Sequence, residues 1–471
     1  MKTWTLIALA CTVPAISHPL AAQGPQLDLV GQYVTAVMQR QKIPGLSVAI
    51  LRGDSILLAR GYGFANLEHR VPASDSTVYQ SGSLGKQFTA AAVGMLARQG
   101  RLRVDDRITK WFPEGKGVWD SITVRQLLTH TSGVPDYTDS LIDLRKDYTD
   151  DQLVRLAAGL PLDFPAGESW SYSNTGYLLL GVLIHRVTGR FYGDVLHDML
   201  YKPLGMETRI ISEADVIPHR AAGYRLLRGK LKNQEWVSPS LNTTADGALY
   251  LTVNDLAKWA VALNQRRLPS APVLDEAWTP VRLNDGGDFP YGYGWDLSAQ
   301  RAHRRIGHTG SWQGFKTAIY RYPEFDLTVI ALANLAEATP GPIAQGIAGV
   351  IEPALQPAEL LTATLGGPAP PVAIGTLLQR IAAGKESGMV APGAQRHLVP
   401  AARRHLPEML KGTGSWKALG CETPSSGAAS WLGADAARVC YARGVGTSDR
   451  AVATVYYTGD WKVAYFDVVN Y

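Results

Sequence analysis

The chain has 471 residues, of which 46% are hydrophobic and 18% are charged. This composition supplies a large core and excludes a mainly disordered protein, and the low charge argues against a coiled coil or long solvated helix. The formal net charge of +5 is small for this length and the basic residues form no run, so the sequence gives no support for nucleic-acid binding.

The N-terminus has the pattern of a secretory signal peptide. Lys2 is followed by an apolar stretch over 6–16, and the small residues Ala21 and Ala22 form a cleavable end. That stretch is too short to span a bilayer, and no later stretch is long and apolar enough to do so. We therefore expect residues 1–22 to be removed during bacterial export and the mature protein to be periplasmic or secreted.

The first hundred residues combine helices with a hairpin. Apolar residues at helical spacing predict a helix over 26–41. The runs 46–51 and 55–60 flank a Gly-Asp turn and predict a β-hairpin. An Ala-rich stretch predicts a helix over 83–99, which Gly100 ends.

Strand patterns return late in the chain. After a middle region of about 105–285 that reads mainly as helices and loops, the runs 304–311, 315–322 and 327–335 predict three consecutive antiparallel strands. A helix over about 340–352 follows them. Because the chain begins with helix and hairpin and comes back to strands, we expect one mixed sheet built from both ends, flanked by helices, with a helical subdomain inserted between.

A change in composition marks a second domain. Pro and Gly are concentrated in 356–371, which predicts a linker. It separates a first domain over 23–355 from a small α+β accessory domain over 372–471. Within the small domain two helix candidates are broken, at Pro400 and Pro407 among other places, and short strand patterns follow. This domain carries no recognisable catalytic group, and we expect it to have a docking or shielding role.

The two cysteines beyond the signal peptide, Cys421 and Cys440, lie in that small domain. In an oxidising compartment such a pair can form a disulfide. Two buried thiols are the alternative, because the sequence does not fix the distance between the two Cα atoms.

The first chemically informative group is Ser83-Leu-Gly-Lys86, at the start of the helix predicted over 83–99. Positions i and i+3 lie on one helix face, so the Lys86 amine can approach the Ser83 hydroxyl. The helix N-terminus favours a developing oxyanion, and burial would lower the pKa of Lys86 enough to make it a base. The same spacing also arises by chance, and an N-cap Ser with a surface Lys is then the simpler interpretation.

The second group is Tyr172-Ser-Asn174, on a loop before an apolar helix over 177–187. Tyr172 can relay protons once a neighbouring ammonium lowers its pKa. Asn174 can orient a substrate amide, since its side chain both donates and accepts hydrogen bonds. A packed aromatic ring and a helix cap are the alternative roles of these two residues.

The third group is His308-Thr309-Gly310-Ser311, on the first of the late strands. Gly310 allows a ligand or another backbone segment to approach closely. The main-chain amides of Ser311 and Ser83 can together form an oxyanion hole. For His308 alone, an ordinary strand histidine with a hydrogen-bonded tip is the alternative.

Taken together and in this order, Ser-x-x-Lys, Tyr-x-Asn and His-Thr-Gly resemble the active-site set of penicillin-binding proteins and serine β-lactamases. The similarity is strongest to class C β-lactamase-related serine hydrolases, which include DD-carboxypeptidases, D-aminopeptidases and esterases. The stretches 126–133, 165–174 and 246–255 also match, and the resemblance covers roughly 27–355. It implies an α/β (α+β) fold of the β-lactamase/transpeptidase type.

The resemblance also implies residue roles. Ser83 would be the acylated nucleophile, and Lys86 and Tyr172 would share the proton transfers. Asn174 would hold the substrate amide, and the amide of Ser311 would complete the oxyanion hole.

In the third motif, Thr309 and Gly310 would join His308 in binding substrate. Family β-lactamases usually carry Lys where this chain has His308, so His308 would act as the cation there, with a charge that depends on pH. The same His-Thr-Gly occurs among DD-carboxypeptidase relatives, which argues against efficient β-lactamase action.

Other classes fit the sequence less well. A Ser–His–Asp hydrolase using His130 or His308 would lack both the Gly two places before Ser83 and the strand–turn–helix alternation. A metal hydrolase would lack a His-Glu-x-x-His motif, and we expect neither metal nor cofactor. A catalytically silent module that binds penicillin or peptidoglycan has the same pocket residues and stays open as an alternative.

The sequence therefore predicts a serine hydrolase that forms an acyl-enzyme at Ser83. Its substrate is a D-amino-acid peptide, a β-lactam or an ester, and peptidoglycan is one source of such peptides. The oligomeric state is left open.

Overall fold

The structure is a computed structural model that describes residues 23–137, 142–209, 216–358, 365–411, 413–425, 428, 436–446 and 451–470. The predicted signal peptide, residues 1–22, lies outside the described residues. Within the described ranges, no helix has the length and apolar character needed to cross a membrane.

A seven-stranded sheet forms the centre of the larger domain. In spatial order its strands are β10 (Asp296–Gln300), β11 (His303–Trp312), β12 (Phe315–Tyr322), β13 (Leu327–Ala333), β1 (Gly45–Arg52), β2 (Ser55–Asn66) and β3 (Val71–Pro72). All six neighbouring pairs are antiparallel. Because β1 pairs with β13, both ends of the domain join in one sheet, as the sequence predicted.

Helices cover both faces of this sheet, and β13 shows why. All of its residues are buried. Val329 and Ala331 pack in a core with α1 (Gln23–Gln41) and α9 (Pro340–Ile351), whereas Ile330 belongs to the core on the opposite face. Successive side chains of a strand point to opposite faces, so an apolar strand of this kind requires helices on both.

The helical subdomain lies on the Ile330 side and occupies the middle of the chain. Its helices are α2 (Lys86–Arg98), α3 (Val124–Leu128), α4 (Asp150–Ala158), α5 (Asn174–Thr188), α6 (Tyr192–Leu196), α7 (Val253–Gln265) and α8 (Ala271–Ala277). Three short strand pairs join them: β4 (Tyr79–Gln80) with β7 (Tyr250–Leu251), β5 (Tyr224–Leu227) with β6 (Lys230–Asn233), and β8 (Val281–Arg282) with β9 (Asp288–Phe289).

The C-terminal domain packs two helices on a four-stranded antiparallel sheet. The helices are α10 (Ile374–Ala382) and α11 (Pro392–Met409), and the strands, in spatial order, are β14 (Thr413–Glu422), β15 (Arg438–Gly446), β16 (Ala451–Tyr457) and β17 (Val463–Asn470). Cys421 and Cys440 occupy paired positions of β14 and β15 and form a disulfide. Of the two alternatives that the sequence left open for this pair, the structure has the bonded one.

Helix α11 corrects one prediction about this domain. The sequence predicts that Pro400 and Pro407 break the helix, but α11 runs through both. Each proline lacks an N–H and so removes one helical hydrogen bond. The neighbouring Val399 and Leu406 are buried in the domain core together with residues of α10, and this tertiary packing outweighs the local cost.

The larger domain brings the third sequence motif against the first by close backbone contact. Gly310 lies in β11, and a β-carbon built on it would be 1.9 Å from the carbonyl oxygen of Ser81. The Thr317 hydroxyl donates a hydrogen bond of 2.6 Å to the same oxygen. The prediction that Gly310 lets another backbone approach closely is confirmed.

We predict that Gly310→Ala lowers the thermal unfolding midpoint, because the added methyl group has no space and overpacking of this kind costs about 1–3 kcal/mol. Gly31→Ala is the matched control. Gly31 lies in α1 with open space around it, and alanine is favoured over glycine within a helix by about 0.5–1 kcal/mol. Equal midpoints for the two variants, measured by circular dichroism, would contradict the close contact at Gly310.

Candidate active site

Ser83 lies in a tight 3₁₀ turn, Gly82–Gly85, that leads directly into α2. Gly82 has a φ of 53°, which glycine adopts without strain. A β-carbon at Gly82 would lie 2.4 Å from the amide nitrogen of Ser311. The turn therefore places Ser83 next to the main chain of Ser311, where the sequence predicts the second oxyanion donor.

The Lys86 ammonium group is at the centre of the hydrogen-bond network of the site. Its Nζ donates hydrogen bonds to Ser83 Oγ at 3.1 Å, to Asn174 Oδ1 at 2.7 Å and to the Asp246 carbonyl oxygen at 2.6 Å. The side chain is fully buried. Burial lowers the pKa of Lys86 to about 8, although the carboxylates of Asp246 and Asp136 oppose this shift. A lysine with this pKa gives up its proton near neutral pH.

Tyr172 lies over the same ammonium group. The Lys86 Nζ is 4.9 Å from the centre of the Tyr172 ring. The Tyr172 hydroxyl is buried and has no hydrogen-bond partner among the described residues. Burial raises the pKa of Tyr172, and the neighbouring Ser83 hydroxyl opposes this only in part. The expectation that a nearby ammonium lowers this pKa is therefore not met, and Tyr172 is a neutral phenol beside Ser83.

Asn174 is held by a residue that sequence reasoning missed. The side-chain Nδ2 and the main-chain nitrogen of Asn174 each donate a hydrogen bond of 3.0 Å to Asp136 Oδ2. Ser173 caps α5 by accepting a hydrogen bond from the Gly176 amide, so Asn174 begins that helix. With its Oδ1 bound to Lys86, Asn174 is fixed on both sides of its amide group.

Asp246 supplies the third hydrogen-bond acceptor of Lys86. Its Oδ2 accepts a hydrogen bond of 2.7 Å from the hydroxyl of the buried Tyr137. Its main-chain carbonyl is the 2.6 Å acceptor of Lys86. The loop that carries Asp246 is thereby fixed both through its side chain and through its backbone.

His308 belongs to a buried hydrogen-bond chain. Its Nδ1 lies 2.6 Å from the carbonyl oxygen of Thr309, which can only accept, so Nδ1 carries the proton. Its Nε2 therefore accepts from the Tyr291 hydroxyl at 3.0 Å. His130 Nδ1 accepts from the Ser173 amide at 3.1 Å, which leaves His130 Nε2 to donate to the Tyr291 oxygen at 3.2 Å. The hydrogen-bond partners thus assign the tautomers of both histidines.

This chain corrects the predicted role of His308. Burial, reinforced by the nearby Lys86, lowers the pKa of His308 to about 4. Burial also places the pKa of His130 well below its usual value. The sequence predicts a cation at His308, but the imidazole is neutral at neutral pH and its Nε2 is already occupied by Tyr291.

The substrate-facing part of β11 lies at a free edge. Strand β10 pairs with β11 only from His303 to Gly307. Beyond Gly307 the described part of β11 pairs with β12 alone. The Thr309 and Ser311 side chains are exposed there, whereas His308 and Gly310 are buried, so the edge presents two hydroxyl groups and a row of main-chain groups to the cleft.

The structure brings all eight predicted site residues together. Hydrogen bonds join Ser83, Lys86 and Asn174. Two adjoining cavities are each lined by Ser83, Tyr172 and Ser311, and the larger one also by residues 308–310. In the described residues, no group of three His, Cys, Asp or Glu side chains is placed to hold a metal ion.

Four supporting residues carried weak sequence signals or none. His130 and Asp246 lie in stretches that contributed to the family resemblance, but their contacts join segments far apart in the chain. Asp136 and Tyr291 gave no signal. Both residues support the site through hydrogen bonds to residues that are distant in the chain, and no local sequence pattern encodes such bonds.

The comparisons with known proteins agree with this geometry. The family model described as Beta-lactamase matches residues 30–348. The curated "Penicillin-binding protein 4*" of Bacillus subtilis (strain 168) is 32% identical over 311 residues, which cover 62% of this chain and 68% of that protein. "Protein flp" of Staphylococcus aureus (strain MW2) is 29% identical over 316 residues, covering 63% of this chain and 61% of the length of flp.

Solved structures share the fold. The octameric penicillin-binding protein homologue from Pyrococcus abyssi has a TM-score of 0.64 at 22% identity, covering 94% of this chain and 90% of that one. The penicillin-binding protein from Bacillus halodurans has a TM-score of 0.58 at 26% identity, covering 68% and 98%. A D-amino acid amidase from Ochrobactrum anthropi SV3 has a TM-score of 0.60 at 24% identity, covering 70% and 98%. Since the family model spans more than half of the chain, the protein belongs to the β-lactamase-related family of serine hydrolases.

Proposed function

We propose that this serine hydrolase forms an acyl-enzyme at Ser83 with a peptide or amide of a D-amino acid and then releases the acyl group to water. The observation that carries the proposal is the hydrogen bond of 3.1 Å from the buried Lys86 Nζ to Ser83 Oγ. A nucleophile in contact with a lysine whose pKa is lowered to about 8 has its base already in place.

In acylation, Ser83 Oγ attacks the substrate carbonyl carbon and neutral Lys86 takes the hydroxyl proton. The main-chain amides of Ser83 and Ser311 stabilise the oxyanion that forms. As the C–N bond breaks, the phenol of Tyr172 donates its proton to the leaving nitrogen and regains one from the Lys86 ammonium. Water then attacks the ester carbonyl and Lys86 takes a proton from that water; the Lys86 ammonium returns this proton to Ser83 Oγ as the ester C–O bond breaks and the carboxylic acid is released.

The neutral His308 favours amides and esters over β-lactams. A Lys at this position would offer a permanent cation to a substrate carboxylate, whereas the buried imidazole is uncharged at neutral pH. The D-amino-acid preference has support from two solved structures of the same fold, the D-amino acid amidase and a D-stereospecific amidohydrolase from Streptomyces sp.. We place penicillins among the slower substrates.

We predict that a penicillin and D-phenylalanine p-nitrophenyl ester both add an acyl group to the wild type and not to Ser83→Ala, because Ser83 Oγ is the one hydroxyl among the three hydrogen-bond partners of Lys86 Nζ. Intact-protein mass spectrometry measures the adduct, and Ser76→Ala, an exposed serine outside the two cavities, is the control. Labelling of Ser83→Ala would contradict the assignment. A lasting adduct without any turnover of D-amino-acid amides would show a silent penicillin-binding module instead.

The pH profile is a second prediction. Lys86 must be neutral to take the Ser83 proton, so kcat/KM for a D-amino-acid amide should rise about tenfold per pH unit up to pH 8 and then level off. Asp136→Asn removes a carboxylate that raises the pKa of Lys86, so the rising limb should move to lower pH. Asp198→Asn, on the exposed surface, should leave the limb in place. An unmoved limb in Asp136→Asn would mean that another group controls it.

We also propose that residues 1–22 direct export and that the mature chain begins at Gln23. Expression of the full sequence in a Gram-negative host should give periplasmic protein of the shorter mass, because the segment has the charge, apolar stretch and small residues of a signal peptide. Mass spectrometry of the periplasmic fraction measures the N-terminus. Periplasmic protein that retains Met1 would contradict the cleavage.

A further inference from the structure

Ser83 lies between two cavities that differ in their walls. The first has a volume of about 340 Å³, and the described residues that line it all belong to the larger domain; we call it the inner cavity. The second, of about 670 Å³, is also lined by Met409, Asp467 and Val468 of the C-terminal domain, and we call it the shared cavity. A substrate whose scissile bond lies at Ser83 extends into both.

Buried polar contacts hold the C-terminal domain in place. The Arg301 guanidinium donates two hydrogen bonds of 2.7 Å to the Glu422 carboxylate, and these side chains are only 11% and 23% exposed. The Tyr441 hydroxyl donates to the same carboxylate at 2.6 Å. The Ser425 amide donates to the Ala302 carbonyl at 2.7 Å. A bidentate charge-assisted pair fixes orientation as well as distance.

Two further contacts make the placement rigid. Ala302 of the larger domain packs in one apolar cluster with Leu419, Val439 and Tyr456 of the C-terminal domain. At a separate point, Arg396 of α11 forms an ion pair of 2.7 Å with Asp285 of the larger domain. The C-terminal domain is therefore attached to the larger domain at more than one point, through both α11 and the four-stranded sheet.

Charged side chains of both domains interact at the floor of the shared cavity. Arg305 of β11 lies 3.8 Å from Asp296, with its side chain 6% exposed, and stacks over the Tyr320 ring at 4.3 Å. The same guanidinium lowers the pKa of Asp467 in β17, although burial raises it more strongly. Asp467 and its neighbour Val468 are therefore anchored at the cavity rather than free in solvent.

We propose that the C-terminal domain is a wall of the substrate cleft, and that Met409 and Val468 limit the size of the substrate group on the shared-cavity side of the scissile bond. This inference rests on the proposed function, because it requires Ser83 as the nucleophile between the two cavities. In the described part of the chain no residue of the C-terminal domain lines the inner cavity, so the substrate group on that side should not contact that domain.

Size selection follows from the rigidity of the wall. A larger substrate group would have to displace Met409 or move the C-terminal domain, and moving the domain breaks the Arg301–Glu422 pair. Met409 lies at the end of α11 and packs partly against the core of its own domain, so it cannot swing freely into solvent. The change of one side chain in such a pocket commonly alters selectivity by about tenfold or more.

The test uses the full-length protein and two substrate series. In one series, D-alanine p-nitroanilide is extended by one and two residues at its amine. In the other, D-alanine amides carry leaving amines of increasing size. Met409→Ala should raise kcat/KM for the largest members of one series by about tenfold, Met409→Trp should lower it, and the other series should not change. The responding series identifies the side of the scissile bond that faces the wall.

Met389→Ala is the matched control. Met389 packs partly against the same domain core but does not line the shared cavity, so it should change neither series. If the Met409 and Met389 variants have the same kcat/KM values, or if both substrate series respond equally, the proposal that the C-terminal domain limits substrate size is wrong. If Ser83→Ala turns over these substrates as fast as the wild type, the proposed function itself is wrong. This outcome is distinguishable from the effect of the Met409 variants on kcat/KM.

Discussion

A buried ammonium group organises this active site. A lysine removed from water is unfavourable unless acceptors replace its hydration, and Lys86 has three of them. They come from the 3₁₀ turn, from the first residue of α5 and from the loop that carries Asp246. One cation therefore joins segments that are 160 positions apart in the chain, and the demand for those acceptors positions Ser83, Asn174 and the loop that carries Asp246 together.

The third motif reaches the same place through the sheet. The pairing of β1 with β13 brings the two ends of the larger domain together, and β11 then lies with its last five residues beyond the end of β10. Because positions 82 and 310 are glycines, the main chain of this edge contacts the 3₁₀ turn that carries Ser83 with no side chain between them. The two main-chain amides that we propose as an oxyanion hole are thus brought together by close backbone packing, and the cleft forms at the part of β11 that extends beyond β10.

Much of this arrangement could be predicted from the sequence. Periodicity located α1, α9 and the strands β11 to β13, and the three motifs located the eight site residues. What escaped prediction depends on burial or on distant partners. The neutral state of His308 follows from its enclosure by Tyr291 and Lys86, and the raised pKa of Tyr172 follows from burial. Asp136 acts through Asn174, 38 positions away in the chain, and through its charge near Lys86, and the continuity of α11 through two prolines is decided by its packing.

The chain from His130 through Tyr291 to His308 has a consequence for the electrical state of the site. Every link has one direction: the Ser173 amide and the Thr309 carbonyl fix the outer ends, and Tyr291 passes its single proton inward to His308. A second proton on His308 would face the Tyr291 hydroxyl, so Tyr291 would have to turn its own proton away from His308, toward the Tyr177 oxygen. A charge on His308 therefore requires the hydrogen bonds of this network to rearrange, in addition to the cost of burying the charge. Among the described residues, Lys86 is then the group in direct contact with Ser83 whose charge changes near neutral pH.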